Sequence, residues 1–400
     1  MVTNIAHWFK IQQIANKGLC GFLTGETLTN RWQYPFKSAE SLYFWANWRH
    51  QLQQALDELQ LASLFMRQCP AFVETGVAAD QIAVQLGCLY HWLYETLPQA
   101  LGREDRYINF NCLKQFDNAD YLLPSGYLNP LISLADYLSH DATALGYSVY
   151  LHGSLSTMDY VPASSDVDIL IIVKRIALDD PSILIEIRRR LIHSLRWVYQ
   201  IDYSQHHGYA VLAELDLDFY DESLFPIGPL QYLTVLTGRG TLVLNHHPHC
   251  TDPAIPFKQM VAAFHDLHDK RNTIKGWYAT KLWLQSALLL PTLYLQACGI
   301  PVYKRDSFDL VKNQVPEPAW HIIDKATRVR AAGVQRSLLS RPLWKRWLAQ
   351  APNPWVVSLL HRKIFNRVPE SARLILGEDW LTEAICLSDT LSKMLETKYV

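Results

Sequence analysis

Residues 167–173 constrain the fold of this chain more strongly than any other segment. They read VDILIIV, and the last five form an unbroken aliphatic run that is rich in β-branched side chains. Alternating polar residues would be typical of a strand with one solvated face, whereas a continuous apolar run is typical of a strand covered on both faces. We therefore predict a central strand here, with other elements packed against both faces of its sheet.

The rest of the chain divides into three regions of different character. Residues 1–140 carry apolar side chains at helical spacing, as at Trp45 and Trp48. Residues 141–250 alternate short apolar runs, which are typical of strands, with one amphipathic helical segment, and residues 251–400 return to helical spacing. We therefore predict an α+β protein, in which a small mixed-sheet core at 141–250 is flanked by an N-terminal helical region of undefined role and a C-terminal helical domain.

Composition and charge exclude several classes of protein. Hydrophobic residues make up 49% and charged residues 19% of the chain, which excludes a disordered protein. Because 37 Lys and Arg balance 38 Asp and Glu, a globally basic nucleic-acid binder is disfavoured. The seven cysteines are scattered without a CxxC pair, and the first residues lack the apolar run of a signal peptide. Free thiols and a cytoplasmic location are the expectation.

One uncharged stretch has the length of a membrane span. No charged residue occurs between positions 282 and 303. Gln285, Pro291 and Gln296 interrupt this stretch, and a helix buried in a helical domain is also apolar on all sides. We predict a buried helix and no membrane partner.

Two aspartates stand at the start of the predicted central strand. Asp166 and Asp168 are two positions apart, which places both carboxylates on the same side of an extended chain. Two neighbouring carboxylates repel each other, and a bound divalent cation removes that repulsion. Asp166 and Asp168, called the Asp pair below, are therefore predicted metal ligands.

A glycine-serine turn precedes the Asp pair. Gly153 and Ser154 follow the short apolar segment YSVYLH, where the chain is expected to turn from a strand into a helix. Backbone N–H groups at such a turn bind phosphate, and glycine lets the phosphate approach closely. A phosphate-binding turn beside a metal-binding acid pair indicates nucleotide chemistry.

A third set of acids follows in the segment AELDLDFY, which we predict as a returning strand. Glu214, Asp216 and Asp218 alternate there with apolar residues, so they share one face of that strand. If this strand pairs with the central one, one of the three acids joins the Asp pair, and three carboxylates can hold two metal ions about 3.5–4 Å apart. Asp216 is the first choice and Glu214 the second, while Asp218 is expected to be partly solvated.

These motifs resemble those of one known superfamily. Gly153 and Ser154, eleven intervening residues, the Asp pair on an apolar strand and a later strand acid are similar to the DNA polymerase β-type nucleotidyltransferases, in the style of the aminoglycoside adenylyltransferases and the minimal nucleotidyltransferases. The resemblance covers residues 146–225 and the helical character of 255–310. Residues 1–140 match no family that we can name.

The resemblance carries specific implications. It implies transfer of a nucleoside monophosphate, AMP from ATP, to the hydroxyl group of a small-molecule acceptor. Asp166, Asp168 and Asp216 would hold two Mg²⁺ ions, and Glu214 is the alternative general base. The Gly153 and Ser154 turn would bind the triphosphate, over which the helical domain closes.

Two features outside these motifs leave alternatives open. Lys281 borders the uncharged stretch; the resemblance implies a contact with the triphosphate, and the alternative is a solvated lysine. Residues 320–367 hold ten Lys and Arg and one acid, interleaved with four Trp, which is typical of a surface that binds RNA or another polyanion and also of a solvated helix face. The same chemistry on RNA, tRNA or a protein, or a non-catalytic nucleotide-binding module, are the alternative functions.

Overall fold

The computed structural model describes most of the chain in detail. The described residues are 5–25, 38–73, 76–102, 106–111, 113–121, 123, 126–162, 164–202, 208–247, 252–269, 274, 276–339 and 367–398. Within these ranges helices and a small sheet occur together, so the predicted α+β class is confirmed.

The elements follow the three predicted regions except before residue 140, where two short strands, Tyr107–Phe110 and Lys114–Gln115, lie in the region predicted to be helical. The N-terminal helices are α1 (Ile5–Thr24), α2 (Ser38–Glu58), α3 (Ala62–Gln68) and α4 (Ala79–Leu101). The mixed region contains β1 (Tyr107–Phe110), β2 (Lys114–Gln115), α5 (Asn129–Ser139), α6 (Ala142–Leu145), β3 (Tyr147–Leu151), α7 (Gly153–Ser156), β4 (Ile169–Val173), α8 (Arg175–Leu178), α9 (Pro181–Ile201), β5 (Ala210–Ala213), α10 (Glu214–Asp218), α11 (Ile227–Leu230), β6 (Thr234–Thr237) and β7 (Leu242–Asn245). The C-terminal helices are α12 (Ile255–Asp269), α13 (Gly276–Ala297), α14 (Lys304–Lys312), α15 (Glu317–Leu339), α16 (Glu370–Leu376) and α17 (Trp380–Lys398).

Five of the described strands form one mixed sheet in the order β2-β6-β3-β4-β5. Strand β4 is antiparallel to β3 and parallel to β5, and β1 and β7 form a separate antiparallel pair. Leu151, at the end of β3, lies opposite Ile169, at the start of β4. The register therefore brings the segment after β3 next to the segment before β4.

The predicted central strand is confirmed in β4. All five of its residues are buried. Ile169, Ile171 and Val173 belong to the core that contains the N-terminal helices, whereas Leu170 and Ile172 belong to a second core on the opposite face of the sheet. The continuous apolar run thus reflects coverage on both faces.

The hydrophobic cores do not follow the three regions that the sequence pattern predicts. Side chains of α1, α2 and α4 share one core with α5, α9 and one face of the sheet. The C-terminal helices have a core of their own. The division predicted near residue 140 therefore does not coincide with a division between cores.

The uncharged stretch lies mostly in α13, which contains Pro291. This helix packs against α12, α14, α15 and α17. None of the helices in the described part of the chain is both long and apolar enough to cross a membrane.

Candidate functional site

The glycine-serine turn and the Asp pair meet where β3 ends and β4 begins. The backbone N–H of His152 donates to the Asp168 carbonyl oxygen at 3.0 Å, which continues the β3–β4 pairing to the turn. Gly153 follows with a φ of +65°, a conformation that glycine adopts without strain. A Cβ atom at position 153 would collide with Oδ2 of Asp168. The absence of a side chain at Gly153 therefore lets the Asp168 carboxylate lie directly against the turn.

Ser154 adds an unsatisfied polar group to the same turn. Its side chain is buried, and its hydroxyl oxygen forms no hydrogen bond with the residues that the structure describes. A buried hydroxyl without a partner is costly, and such groups in native proteins call for an explanation such as a bound ligand. A phosphate oxygen would satisfy it.

Asp166, the other member of the Asp pair, forms an ion pair with Lys281 of α13. The Lys281 amino group lies 3.1 Å from Oδ1 of Asp166 and 3.4 Å from Oδ2 of Asp202. Asp202 directly follows α9, so the arrangement joins the sheet, α9 and the C-terminal helices. Burial acts to lower the pKa of Lys281, but the two carboxylates outweigh it and raise that pKa. Lys281 is therefore charged and bridges two buried acids.

This geometry differs from the role predicted for Lys281. The resemblance implied a contact with the triphosphate, whereas both ionic partners described for this amine are carboxylates. Sequence analysis missed Asp202 altogether. Asp202 is not part of any sequence motif. It contacts Lys281 at the site because α9 ends beside α13 in the folded chain.

The donor set near the Asp pair suits Mg²⁺ that arrives with a nucleotide. Among the described residues no group of three or more His, Cys, Asp or Glu side chains is arranged to hold a metal ion. Mg²⁺ usually takes one or two carboxylates and completes its shell with water and substrate phosphates. Asp166 and Asp168 supply that number, and the unsatisfied Ser154 hydroxyl lies in the adjoining turn. The residues therefore fit an ion whose remaining ligands come from the substrate.

Two further cations from the helical domain approach the Asp pair. Burial lowers the pKa of the Lys304 amine and the Arg330 guanidinium lowers it further, while Asp168 opposes these effects most strongly. Within the described residues the Lys304 amine makes no hydrogen bond or ion pair, whereas its backbone carbonyl accepts from the Ser307 hydroxyl at 2.6 Å. Arg330 donates to the Ser165 hydroxyl at 3.1 Å, beside the Asp pair. Positive side chains next to two carboxylates are typical of a site that binds a polyanion together with its bound metal ions.

The C-terminal helices also hold the loop between the turn and the Asp pair. Gln285 of α13 donates to the Ser164 carbonyl at 3.0 Å. The Tyr303 hydroxyl, just before α14, accepts from Thr157 at 3.0 Å and donates to Asp159 at 3.3 Å. The helical domain therefore contacts the core at this site.

The predicted third acid, Asp216, lies elsewhere. The segment expected to be a strand through residue 220 leaves β5 at Ala213 and forms the one-turn helix α10. Strands β4 and β5 are parallel and in register from Leu170 opposite Ala210 to Val173 opposite Ala213. The Asp pair precedes β4 and Asp216 follows β5, so the length of a five-residue strand, about 13 Å, separates them. The assignment of Asp216 to the metal site is wrong.

The other two acids of this segment are on the same far side. Glu214 is exposed and accepts from the Arg175 backbone N–H at 3.3 Å, beyond the end of β4. Asp218 is exposed, as predicted. Glu214 is therefore also excluded from the metal site and from the role of general base.

Asp216 instead fastens α1 to the sheet. Its carboxylate accepts from the Ala213 backbone N–H at 2.8 Å and from the side chains of Gln12 and Asn16, each at 3.0 Å. Its side chain is completely buried. Burial raises the pKa of Asp216 to about 6, although the three donors act in the opposite direction. The role of this acid is structural.

We expect the stability of the protein to depend on the protonation of Asp216. Since the folded state holds the proton more tightly than the unfolded state, the free energy of unfolding falls as pH rises from about 4 through about 6, by at most about 3 kcal/mol. Asp216→Asn removes this contribution and keeps the side-chain shape. Urea unfolding of both proteins at pH 4.5 and pH 7 measures it. Equal pH dependence in the two proteins would contradict the assignment.

The basic segment 320–367 is described only in part. The Lys325 amine donates hydrogen bonds to Glu383 at 2.6 Å and to the Leu376 carbonyl at 3.0 Å, and Arg330 donates to the Ser165 hydroxyl. The segment's remaining basic residues in positions 340–366 lie outside the described residues: Arg341, Lys345, Arg346, Arg362 and Lys363. Two of the described cations thus make contacts within the chain.

Comparison with known proteins finds no matching family model, no similar curated protein and no similar solved structure. The resemblance of residues 146–225 to the nucleotidyltransferases therefore rests on the motifs themselves.

Proposed function

We propose that this protein transfers a nucleoside monophosphate, AMP from ATP, to the hydroxyl group of a small-molecule acceptor. The observation that carries the proposal is the contact between the Gly153 turn and the Asp168 carboxylate, which only glycine permits. The Asp168 carboxylate would repel a phosphate bound at this turn unless a cation lay between the two negative groups. This juxtaposition therefore supports a site for a metal-bound nucleotide.

Each residue has a role that follows from its chemistry. Asp166 and Asp168 would hold Mg²⁺, and the bound ion would supply charge neutralisation for the triphosphate. The Gly153 backbone and the Ser154 hydroxyl donate hydrogen bonds to phosphate oxygens. Lys304 and Arg330 contact the triphosphate from the helical domain, where an unpaired amine and a guanidinium favour a polyanion.

The reaction is an in-line displacement at the α-phosphorus. The acceptor oxygen forms a bond to this phosphorus, and the bond from the phosphorus to the oxygen that bridges to the β-phosphate breaks. Pyrophosphate leaves, and the proton of the acceptor hydroxyl is taken up by the departing pyrophosphate. The residues serve to orient the attacking and the leaving oxygen in line at the α-phosphorus.

A small molecule is the acceptor that the described contacts favour. An RNA acceptor requires free basic side chains on the surface, since phosphate contacts dominate its affinity. Lys325, one of the described cations of the basic segment, is instead paired with Glu383 and with the Leu376 carbonyl oxygen.

The acceptor can be identified with labelled nucleotides. The protein is incubated with Mg²⁺ and each of the four ribonucleoside triphosphates labelled at the α-phosphate, together with either the low-molecular-weight or the macromolecular fraction of a cell extract. We expect a labelled product from ATP and the low-molecular-weight fraction, seen by chromatography and mass spectrometry. Label found only in RNA or protein would overturn the small-molecule assignment.

A further inference from the structure

Lys281 occupies a position that the proposed metal chemistry does not explain. Its side chain is 5% exposed, and its two partners, Asp166 and Asp202, are 8% and 0% exposed. Removing charged groups from water is costly, and it is tolerated where opposite charges are paired at short distance. The amine therefore supplies the positive charge that the two buried carboxylates require in the absence of any other cation.

The same Asp166 carboxylate is the proposed ligand of a divalent ion. Its Oδ1 atom accepts a hydrogen bond from the Lys281 amine at 3.1 Å. A divalent ion bound to Asp166 would place two positive charges next to the ammonium group, and like charges at this distance repel strongly in a buried site. The lysine and the metal ion thus compete for one carboxylate.

Asp202 provides a second partner for the lysine. It lies 3.4 Å from the amine, it is completely buried, and it follows α9 rather than the turn that adjoins the Asp pair. An amine that leaves Asp166 remains paired if it stays on Asp202. The second carboxylate therefore lowers the cost of releasing the first.

We propose that Lys281 is the resident counter-cation of Asp166 and that it yields this carboxylate to a divalent ion while it remains bound to Asp202. The proposal rests on the proposed function, because it takes Asp166 as a metal ligand. Lys281 is then a positioning residue: it holds the Asp166 side chain in place before the metal-nucleotide complex binds. It also couples metal binding to α13, the helix that carries it.

The proposal makes Lys281 a competitor of the metal ion. A binding-competent state that is populated at about 10% or less lowers the apparent affinity for the ligand about tenfold or more. Lys281→Met removes the competitor, so we expect this variant to bind Mn²⁺, used as a paramagnetic substitute for Mg²⁺, about tenfold more tightly than the wild type. Loss of the free-ion signal in electron paramagnetic resonance measures the binding directly, without nucleotide.

Thermal unfolding provides a second measurement. Without divalent ions Lys281→Met removes the ammonium partner of two buried carboxylates, Asp166 and Asp202, so we expect its melting temperature to fall well below that of the wild type. Saturating Mg²⁺ should raise the melting temperature of this variant more than that of the wild type, because the ion replaces the missing charge at Asp166.

Lys325→Met is the matched control. Lys325 is another lysine of the C-terminal helices, less deeply buried than Lys281, with an ion pair to Glu383 at 2.6 Å. Its removal should lower the melting temperature, but Mg²⁺ should not restore it and the affinity for Mn²⁺ should equal that of the wild type.

Lys281→Arg keeps the proposal testable if Lys281→Met does not fold. The charge is retained, and the guanidinium can bind carboxylates through two parallel hydrogen bonds, so it should release Asp166 less readily. We expect this variant to bind Mn²⁺ several-fold more weakly than the wild type. Arginine at this position thus shifts the affinity in the direction opposite to methionine.

The outcomes separate this proposal from the proposed function. Equal affinity for Mn²⁺ in the wild type and in both Lys281 variants would overturn the role of Lys281, and so would a failure of all three proteins to bind Mn²⁺. Failure of the proposed function would appear instead as the absence of a nucleotidyl product from the wild type, whatever the Mn²⁺ titrations give.

Discussion

Asp168→Asn is expected to reduce the rate of nucleotidyl transfer by about a thousandfold or more, because a metal ion contributes several kcal/mol of charge stabilisation in the transition state. The substitution preserves the shape of the side chain that lies against Gly153, so the fold should be retained. Product formation from α-labelled ATP and the melting temperature are the two measurements. The expected result is a folded protein without transferase activity.

Asp309→Asn serves as the control for this substitution. Asp309 is an exposed acid of α14, on the same domain as Lys304, and its loss should leave transfer unchanged. Asp166→Asn is a less specific test, since it also removes an ion pair to buried Lys281 and should therefore lower stability. An Asp168→Asn protein with near-wild-type transfer would remove the Asp pair from the mechanism.

Gly153→Ala is expected to abolish transfer and to destabilise the protein. The new Cβ would collide with the Asp168 carboxylate, and the φ of +65° is strained for any side chain. Backbone strain of this kind costs about 1–3 kcal/mol, and displacement of the carboxylate adds to it. Transfer assays and urea unfolding measure the two effects.

Gly377→Ala separates strain from the collision. Gly377 has a φ of +68°, and nothing lies within 4 Å of the Cβ that alanine would add. This variant should lose a similar amount of stability from strain alone and keep full transferase activity. If Gly153→Ala also kept its activity, the contact between the turn and Asp168 would have no functional role.

Local patterns predicted the centre of the sheet well. The aliphatic run of β4 requires burial on both faces, and this requirement depends only on the residues of the strand itself. The Asp pair lies beside Gly153 because β3 and β4 pair in antiparallel fashion, and the aliphatic run by itself does not specify that pairing.

The segment after β5 shows where a local pattern misleads. Glu214, Asp216 and Asp218 alternate with apolar residues, which is typical of a strand, yet these residues form the single turn α10. A helix of five residues is too short to reveal a helical period. Contacts of Asp216 with Gln12 and Asn16, about 200 positions earlier, stabilise the turn, and no local pattern contains them.

The remaining site residues come from tertiary structure. Asp202 and Lys304 belong to no motif, and they reach the Asp pair because α9 ends beside α13 and because α14 begins next to the loop at Thr157. Lys281 was noticed for its place beside an apolar stretch, but its partners depend on the packing of α13 against the core.

The most direct test of nucleotidyl transfer compares two labels in ATP. The protein, Mg²⁺ and the low-molecular-weight fraction of a cell extract are incubated with ATP labelled at the α-phosphate or, in a parallel reaction, at the γ-phosphate. Breaking the bond between the α-phosphorus and the β-bridging oxygen should carry only the α label into the acceptor and the γ label into pyrophosphate. Transfer of the γ label to the acceptor, or no transfer of either label, would contradict the proposed reaction.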